Sequence, residues 1–255
     1  MLFALDIGNT HIVGGLFEGK TLVHHFRVGT DRRKTEDEYG VLFLSMLQHA
    51  KVNSSSLRGG IIASVVPPLT PTLEKALRMY LGISPVILGP GTRTGINIKY
   101  ENPKEVGPDR IANAVAAYAK YGGPVIVVDF GTATTFDAIS KEGDYLGGAI
   151  APGILTATDA LFERTARLPR IELVKPSSAI GKTTVQSMQS GIIFGFAGQA
   201  DAMVERIARE MGGDPYVVAT GGLAQLVASE SRTIKSVDPF LTLEGLYLIY
   251  HKNAG

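Results

Sequence analysis

LFALDIGNT, residues 2–10, decides the fold, because an apolar run typical of a buried β-strand ends there in an Asp-x-Gly-x-Thr turn. The same local pattern returns in VIVVDFGT, residues 125–132, again after a run of β-branched residues. A single Asp-x-Gly turn is most often an ordinary β-hairpin. Two copies in equivalent contexts instead predict a repeated hairpin whose backbone N–H groups surround phosphate oxygens, with the aspartate beside a metal ion.

The segments after the two turns repeat in the same order, strands first and then alternating helices and strands. The first set predicts strands at 12–17, 21–28, 60–66 and 85–88 and helices at 35–50 and 73–81. The second set predicts strands at 134–140, 144–151 and 216–220 and helices at 154–166, 184–211 and 243–250. We therefore expect an α/β protein of two similar lobes, 1–115 and 116–255, each a mixed β-sheet flanked by helices, with the ligand site in the cleft between them. The boundary falls within a helix predicted over 109–121.

Composition and charge exclude several classes of function. Lys plus Arg total 25 and Asp plus Glu total 24 in 255 residues, so the formal net charge is +1. The dense basic cluster DRRK at 31–34 is expected to be a solvated loop, and we expect no nucleic-acid partner. The absence of cysteine excludes disulfides, thiolate zinc sites and cysteine nucleophiles. Neither a signal-peptide pattern nor a membrane-spanning apolar run is found, so the sequence predicts a cytoplasmic protein with no membrane partner.

Two further stretches have residue types that suit a binding site. GPDR at 107–110 opens a predicted helix with a proline and an acid. Two interpretations of Asp109 stay open: a favourable charge at a helix N-terminus, or a catalytic carboxylate if a phosphate lies nearby. ATGG at 219–222 ends a predicted strand in a small-residue turn, which serves either a ligand or the geometry of the turn itself.

The long helix predicted at 184–211 follows a false P-loop. GKT at 181–183 lacks the required upstream glycine, because Pro176 stands in its place, and Thr183 or Thr184 is expected to cap the helix. Small residues lie on roughly one side of the helix and suit an internal contact or a dimer interface; they are Ser187, Gly191, Gly195 and Gly198. The five histidines lack metal-ligand spacing.

Two Asp-x-Gly turns and a late Ala-Thr-Gly-Gly turn together resemble the superfamily of acetate kinase, sugar kinases, actin and chaperones. The resemblance implies two ribonuclease H-like lobes. Within that superfamily five stretches resemble type III pantothenate kinases: LDIGNT, GPDRIAN at 107–113, DFGTATTFD at 129–137, GGAIAPG at 147–153 and ATGGLA at 219–224. The resemblance extends from Met1 to the C-terminal helix.

This resemblance implies a role for each matching residue. ATP is expected to contact Asp6, Ile7, Gly8, Asn9, Thr10, His11, Ile12, Val13 and Thr132, with magnesium at Asp6. Pantothenate is expected to contact Tyr100, Gly107, Pro108, Asp109, Arg110 and Thr184. Asp109 is the implied proton acceptor, and Asp129 is the implied site of a monovalent cation, potassium or ammonium. Arg110 has two roles open, towards phosphate or towards the pantothenate carboxylate.

The implied activity is ATP-dependent phosphorylation of pantothenate to 4'-phosphopantothenate, the first step of coenzyme A biosynthesis, by a homodimer. Another small-molecule kinase of the superfamily would share both phosphate turns, but Tyr100 and the GPDR stretch favour pantothenate. A nucleotide-binding transcriptional accessory regulator is the other alternative. Asp109 and the lack of a basic face disfavour it.

Overall fold

The computed structural model describes residues 1–254 and contains a five-stranded and a six-stranded sheet within that range. The strands of the first sheet are β1 (Leu2–Ile7), β2 (His11–Glu18), β3 (Thr21–Gly29), β4 (Gly59–Ser64) and β5 (Pro85–Ile87). The strands of the second are β6 (Asn97–Ile98), β7 (Val125–Phe130), β8 (Ala133–Ile139), β9 (Asp144–Pro152), β10 (Tyr216–Thr220) and β11 (Ser236–Val237). The helices are α1 (Glu36–His49), α2 (Thr70–Leu81), α3 (Pro108–Tyr121), α4 (Ile154–Arg164), α5 (Thr184–Met211), α6 (Ala224–Ala228) and α7 (Leu241–Asn253).

The first sheet has the order β3-β2-β1-β4-β5 and is mixed, since β1 pairs antiparallel with β2 and parallel with β4. Most residues of the inner strands β1 and β4 are buried and apolar or glycine, as expected where both faces of a strand are covered. Phe3, Leu5 and Ile7 are fully buried in one core with residues of α1 and α2. Asp6 lies at the end of β1, opposite Val13 of β2.

The second sheet, in the order β11-β10-β7-β8-β9-β6, repeats this arrangement around β7. β7 pairs antiparallel with β8 and parallel with β10. Phe136 of β8 and the long helix α5 contribute to its core. The predicted glycine turns of the two repeats, at Gly19 and Gly143, have φ of +57° and +89°, which a glycine adopts without the cost that a Cβ would add.

Contacts between Cα atoms divide the chain into two compact units. Unit 1 comprises 1–96, 101–116 and the segment from Leu241 onward, and unit 2 comprises 97–100 and 117–240. Helix α7 is thus grouped with unit 1, where it contacts β1 and β4, whereas the sequence repeat assigned it to the second lobe. The predicted lobe limits, 1–115 and 116–255, stay a prediction.

The longer predicted elements are found, with ends shifted by a few residues. Thr35, predicted as the first residue of a helix, is the N-cap of α1: its side chain accepts from the N–H of Glu38, and the Glu38 side chain accepts from the N–H of Thr35. Helix α2 begins three residues earlier than predicted, with Pro71 in its first turn. Strands β6 and β11 and helix α6 have no counterpart among the elements predicted from the sequence. Among residues 1–254, no helix is long and apolar enough to span a bilayer.

Candidate active site

The first predicted phosphate turn, residues 8–10, closes between β1 and β2. The Gly8 N–H donates to the His11 carbonyl at 2.9 Å. From the end of β3, the Thr30 hydroxyl donates to the Gly8 carbonyl at 2.7 Å and the Thr30 N–H donates to the Thr10 carbonyl at 3.0 Å. The turn is therefore held by a neighbouring strand as well as by its own hydrogen bond.

The residues of this hairpin that are predicted to contact ATP differ in how exposed they are to solvent. Asn9, Thr10 and His11 are exposed, and Asp6, Gly8 and Val13 are half-buried. Ile7 and Ile12 are fully buried and belong to the core of unit 1. Only the backbone of these two isoleucines is therefore suited to contact a nucleotide.

Asp109 lies in the first turn of α3, as the Pro-Asp pair predicts. Its Oδ1 accepts from the N–H of Arg110 at 2.9 Å. Burial raises the pKa of the Asp109 carboxyl above its ordinary value, and this effect outweighs the hydrogen bond and the positive charge of Arg110, which lower it. A carboxylate with a raised pKa is a better proton acceptor than one in water.

Gly107 allows Asp109 to occupy this position. A Cβ at position 107 would lie 2.4 Å from Asp109 Oδ1, so any other residue would displace the carboxylate. The same Cβ would lie 3.7 Å from Val65, whose N–H donates to the carbonyl of Ile7 at 3.0 Å. Within unit 1, Gly107 therefore lies close to the end of β1, where the first phosphate turn begins.

The second predicted phosphate turn, Gly131 and Thr132, closes between β7 and β8 with a hydrogen bond from the Gly131 N–H to the Ala133 carbonyl at 3.1 Å. Helix α4 begins against it. A Cβ on its N-cap, Gly153, would lie 2.2 Å from the Thr132 carbonyl oxygen, and the Thr156 hydroxyl donates to that oxygen at 2.9 Å. The N-terminus of α4 has no acid in its first turn and is suited to an anion.

Gly153 and Thr156 were not among the predicted site residues. The Pro152-Gly153 pair before an apolar helical run marks the start of α4, but this pattern does not reveal that the start packs on the turn at Thr132.

Asp129 is the penultimate residue of β7 and is half-buried. A Cβ at Gly221 would lie 2.5 Å from Asp129 Oδ1 and 2.7 Å from the Phe130 carbonyl oxygen. Gly221 belongs to the Ala-Thr-Gly-Gly turn and has φ of +94°. The glycine of that turn is thus required by backbone geometry and by its close approach to Asp129.

Tyr100 follows β6, which pairs with β9 at the edge of the second sheet. Its ring centroid lies 6.5 Å from that of Tyr145, a fully buried residue whose hydroxyl donates to Asp137 Oδ1 at 2.7 Å. Gly147, with φ of +117°, lies under the ring of Tyr100. Tyr100 itself is 36% exposed and is available for a ligand.

Thr184 is the first residue of α5. Its neighbour Thr183 is the N-cap and accepts from the N–H of Gln186 at 3.2 Å, so the capping role belongs to Thr183. Thr184 lines a largely apolar groove of about 920 Å³ together with Pro152, Thr156 and Met188. Since Thr156 also bonds to Thr132, the groove adjoins the second phosphate turn.

Each unit thus brings together part of the predicted site. Unit 1 contains the hairpin from Asp6 to Val13 and the stretch from Gly107 to Arg110; unit 2 contains Tyr100, Asp129, Thr132 and Thr184.

The chain matches the family model of type III pantothenate kinase over residues 2–206. It is 53% identical over 254 residues to a type III pantothenate kinase of Bacillus cytotoxicus, and the alignment covers 100% of this chain and 97% of that protein.

Solved structures show the same architecture at lower identity. A protein from Campylobacter jejuni, assigned to the Baf family of transcriptional activators, has a TM-score of 0.63 at 21% identity over 99% of this chain and 98% of that one. A ROK hexokinase from Thermus thermophilus has a TM-score of 0.52 at 13% identity over 100% and 99%. Such likeness shows the fold alone, and it confirms the predicted two-lobed α/β class.

Proposed function

We propose a residue-level mechanism from the premise that this chain belongs to the type III pantothenate kinase family. It is an enzyme that phosphorylates pantothenate in coenzyme A biosynthesis, with ATP as the phosphoryl donor. Family membership decides between this activity and the two alternatives, a kinase for another acceptor and a regulator.

In our proposal Asp109 is the catalytic base. Its position carries this assignment: the carboxylate lies in the first turn of α3 against Gly107, close to the end of β1 within unit 1. The burial of this carboxyl, which raises its pKa, supports the same role. The Asp109 carboxylate takes the proton of the pantothenate 4'-hydroxyl as that oxygen attacks the γ-phosphorus of ATP. The bond to the bridging oxygen breaks, and ADP leaves with the electron pair.

Phosphoryl transfer depends mainly on positioning and charge neutralisation. Unit 1 contributes the turn after Asp6, which has exposed residues at its tip and a second strand behind it. Unit 2 contributes the turn at Thr132 and the N-terminus of α4. Backbone N–H groups and a helix N-terminus both suit phosphate oxygens.

The residues present fit the two implied cations. Mg²⁺ is commonly held by one or two carboxylates together with substrate phosphates, and Asp6 supplies one carboxylate beside the first turn. Potassium and ammonium prefer oxygen ligands, and the Asp129 carboxylate and the Phe130 carbonyl oxygen both lie beside the Ala-Thr-Gly-Gly turn at Gly221. When bound, these cations would supply positive charge that offsets the negative charge of the phosphates.

For pantothenate, we propose contacts to Tyr100, Gly107, Pro108, Arg110 and Thr184 in addition to Asp109. Tyr100 and Thr184 have exposed surface, whereas the Arg110 side chain is buried. The main-chain N–H of Arg110 donates to Asp109 Oδ1, and the positive charge of its side chain stabilises the ionised carboxylate, so we propose that stabilising the base is one of its roles.

We further propose a cytoplasmic homodimer. Three of the four small residues predicted on one side of α5 are open: a Cβ at Gly191, Gly195 or Gly198 would meet no described atom within 4 Å. Exposed apolar side chains also occur on α4 and α5, at Leu155 and Val185. Apolar surface of this kind typically marks an association site, and two-fold contacts are the commonest kind.

The test of the activity is incubation of the purified protein with magnesium, ATP and pantothenate, with products identified by mass spectrometry. We expect ADP and 4'-phosphopantothenate in equal amounts. With Asp109→Asn, kcat should fall by about 10²-fold or more while ATP binding, measured by calorimetry, persists. A near wild-type rate for the Asn variant would remove Asp109 from the mechanism and leave it a helix-end residue.

A further inference from the structure

The basic cluster expected to be a solvated loop is attached to the first phosphate turn. We call residues 30–34, Thr-Asp-Arg-Arg-Lys, the basic loop; it follows β3 directly. Its first residue, Thr30, donates hydrogen bonds to the carbonyls of Gly8 and Thr10. Its third residue, Arg32, donates from Nη2 to the side-chain Oδ1 of Asn9 at 3.0 Å.

The hydrogen bonds of Thr30 also fix the direction of the turn. Because a trans peptide directs its N–H opposite to its carbonyl, the Asn9 N–H points away from Thr30 when the Gly8 carbonyl points towards it. Asn9 and Arg32 are both exposed. A polar tip that carries an amide and a guanidinium is therefore open to solvent at this turn.

The basic loop is anchored to the core of unit 1. The fully buried Tyr39 accepts from the N–H of Asp31 at 3.1 Å and donates its hydroxyl to the Asp31 carbonyl at 2.9 Å. The capping box at Thr35 fixes the start of α1 just beyond the loop. The backbone of the basic loop is therefore fixed by hydrogen bonds before and after Arg32, which defines the position of the Arg32 Cα.

The three basic side chains of the loop have different partners. Arg33 is 90% exposed and forms a two-pronged pair with Asp31, with both N···O distances 3.2 Å. The Lys34 ammonium lies 5.7 Å from the centre of the Tyr39 ring. Arg32 is the one of the three that hydrogen-bonds to the phosphate turn.

We propose that Arg32 binds the outer phosphates of ATP and is a nucleotide-binding residue of this kinase. The proposal rests on the proposed role of the hairpin from Asp6 to Val13 in holding those phosphates. Guanidinium groups form strong charge-assisted hydrogen bonds to phosphate oxygens. The Asn9 side chain orients the Arg32 guanidinium across the tip of the turn. There its positive charge would offset the negative charge of the outer phosphates, whereas Arg33 and Lys34 have other partners.

Arg32→Ala and Arg33→Ala form a matched pair of variants, since both remove one arginine from the same loop. Binding of ATP and of AMP is measured by calorimetry for each, and kinetics are measured for both substrates. We expect Arg32→Ala to weaken ATP binding about tenfold and to change AMP binding less than about twofold, because AMP lacks the outer phosphates. Arg33→Ala should bind both nucleotides as the wild type does, and Arg32→Lys should recover part of the loss.

If Arg32→Ala and Arg33→Ala weaken ATP binding equally, Arg32 contributes only to the overall positive charge of the loop. If Arg32→Ala weakens ATP and AMP binding equally, its role is structural. Either result overturns the proposal.

Asp6→Asn separates this failure from failure of the proposed ATP site. If Asp6→Asn weakens magnesium-ATP binding and Arg32→Ala does not, Arg32 alone is wrong; if neither does, the assignment of the hairpin to ATP is wrong as well.

Discussion

Asp109 and Gly107 act as a pair at the scale of single residues. Burial raises the pKa of the Asp109 carboxyl. The carboxylate can lie against the backbone of residue 107 because a glycine there has no Cβ to collide with Oδ1. From the sequence, Asp109 could be recognised as the opening acid of a helix, and the family resemblance adds its role as a base. The pKa shift could not be predicted, because it depends on how much water the folded chain removes from that carboxylate.

The first prediction concerns pH. A base must be ionised to accept a proton, so kcat should decrease as the pH falls from neutrality through the pKa of Asp109, which is raised by burial. The decrease should begin at a higher pH than an aspartate in water would give. The measurement is kcat against pH at saturating substrates, with activity recovered on return to neutral pH to exclude acid unfolding. A flat profile down to the ordinary range of an aspartate would contradict this role.

Gly107→Ala tests the space that the carboxylate occupies. The new Cβ would lie 2.4 Å from Asp109 Oδ1 and must displace it, so kcat should fall by about 10²-fold with little change in the KM for ATP. Gly89→Ala is the control, because a Cβ there would meet no described atom within 4 Å. If Gly107→Ala retains the wild-type kcat, a displaced Asp109 still works and its position is not critical.

At the scale of single elements, the sequence predicts long segments well and short ones poorly. β1 and β7 each begin with four apolar residues before an aspartate, and α1 has a complete capping box, so each is recognisable locally. β6 has two residues and exists because it pairs with β9, a contact with no local signature. The same limit applies to the site: the N-terminus of α4 and the basic loop reach the phosphate turns through tertiary contacts.

Helix α5 supplies an element-scale prediction through Asp201. This buried carboxylate accepts from the Ser231 hydroxyl at 2.6 Å, the Arg232 N–H at 3.0 Å and the Thr233 N–H at 3.1 Å. Burial acts to raise the pKa of Asp201, but these hydrogen bonds outweigh it and hold the pKa below the ordinary value. The stabilisation is therefore present above the ordinary pKa of an aspartate and is lost as the pH falls through the lowered one.

Asp201→Ala should lower the free energy of unfolding at neutral pH by about 2–3 kcal/mol, because it leaves buried donors without their acceptor. This corresponds to roughly 5–10 °C in Tm, measured by scanning calorimetry. KM values should stay unchanged. Glu205→Ala is the matched control on the same helix, since Glu205 is more than half exposed and its pair with Arg232 is worth little. Equal effects of the two variants would refute the importance of the buried carboxylate.

At the scale of the whole molecule, the repeated turn predicts two units of the same architecture, and the structure contains them. What the repeat could not predict is the discontinuity of unit 1, to which α7 returns. Gly245 of α7 approaches α3 so closely that a Cβ would lie 1.9 Å from the Ala112 carbonyl oxygen, and the Thr242 hydroxyl donates to the Asn113 side chain at 2.7 Å. The sequence of α7 has no local feature that indicates which of the two sheets the helix packs against.

Gly195→Arg tests the proposed homodimer. The position lies mid-helix on the open side of α5, where a Cβ meets no described atom within 4 Å, so a single chain has room for the larger side chain. Replacing a helical glycine should also favour the helix by up to about 1 kcal/mol, which makes unfolding an unsuitable explanation for any loss. In a dimer whose subunits meet along this side, a charged side chain would have to be buried without a partner, and association should fail.

We expect the wild type to sediment as a dimer and Gly195→Arg as a folded monomer. Gln48→Arg, which adds the same charge at an exposed position of α1, should remain a dimer. A variant that stays dimeric and active would place the interface elsewhere, and a fully active wild-type monomer at assay concentration would show that no dimer is needed.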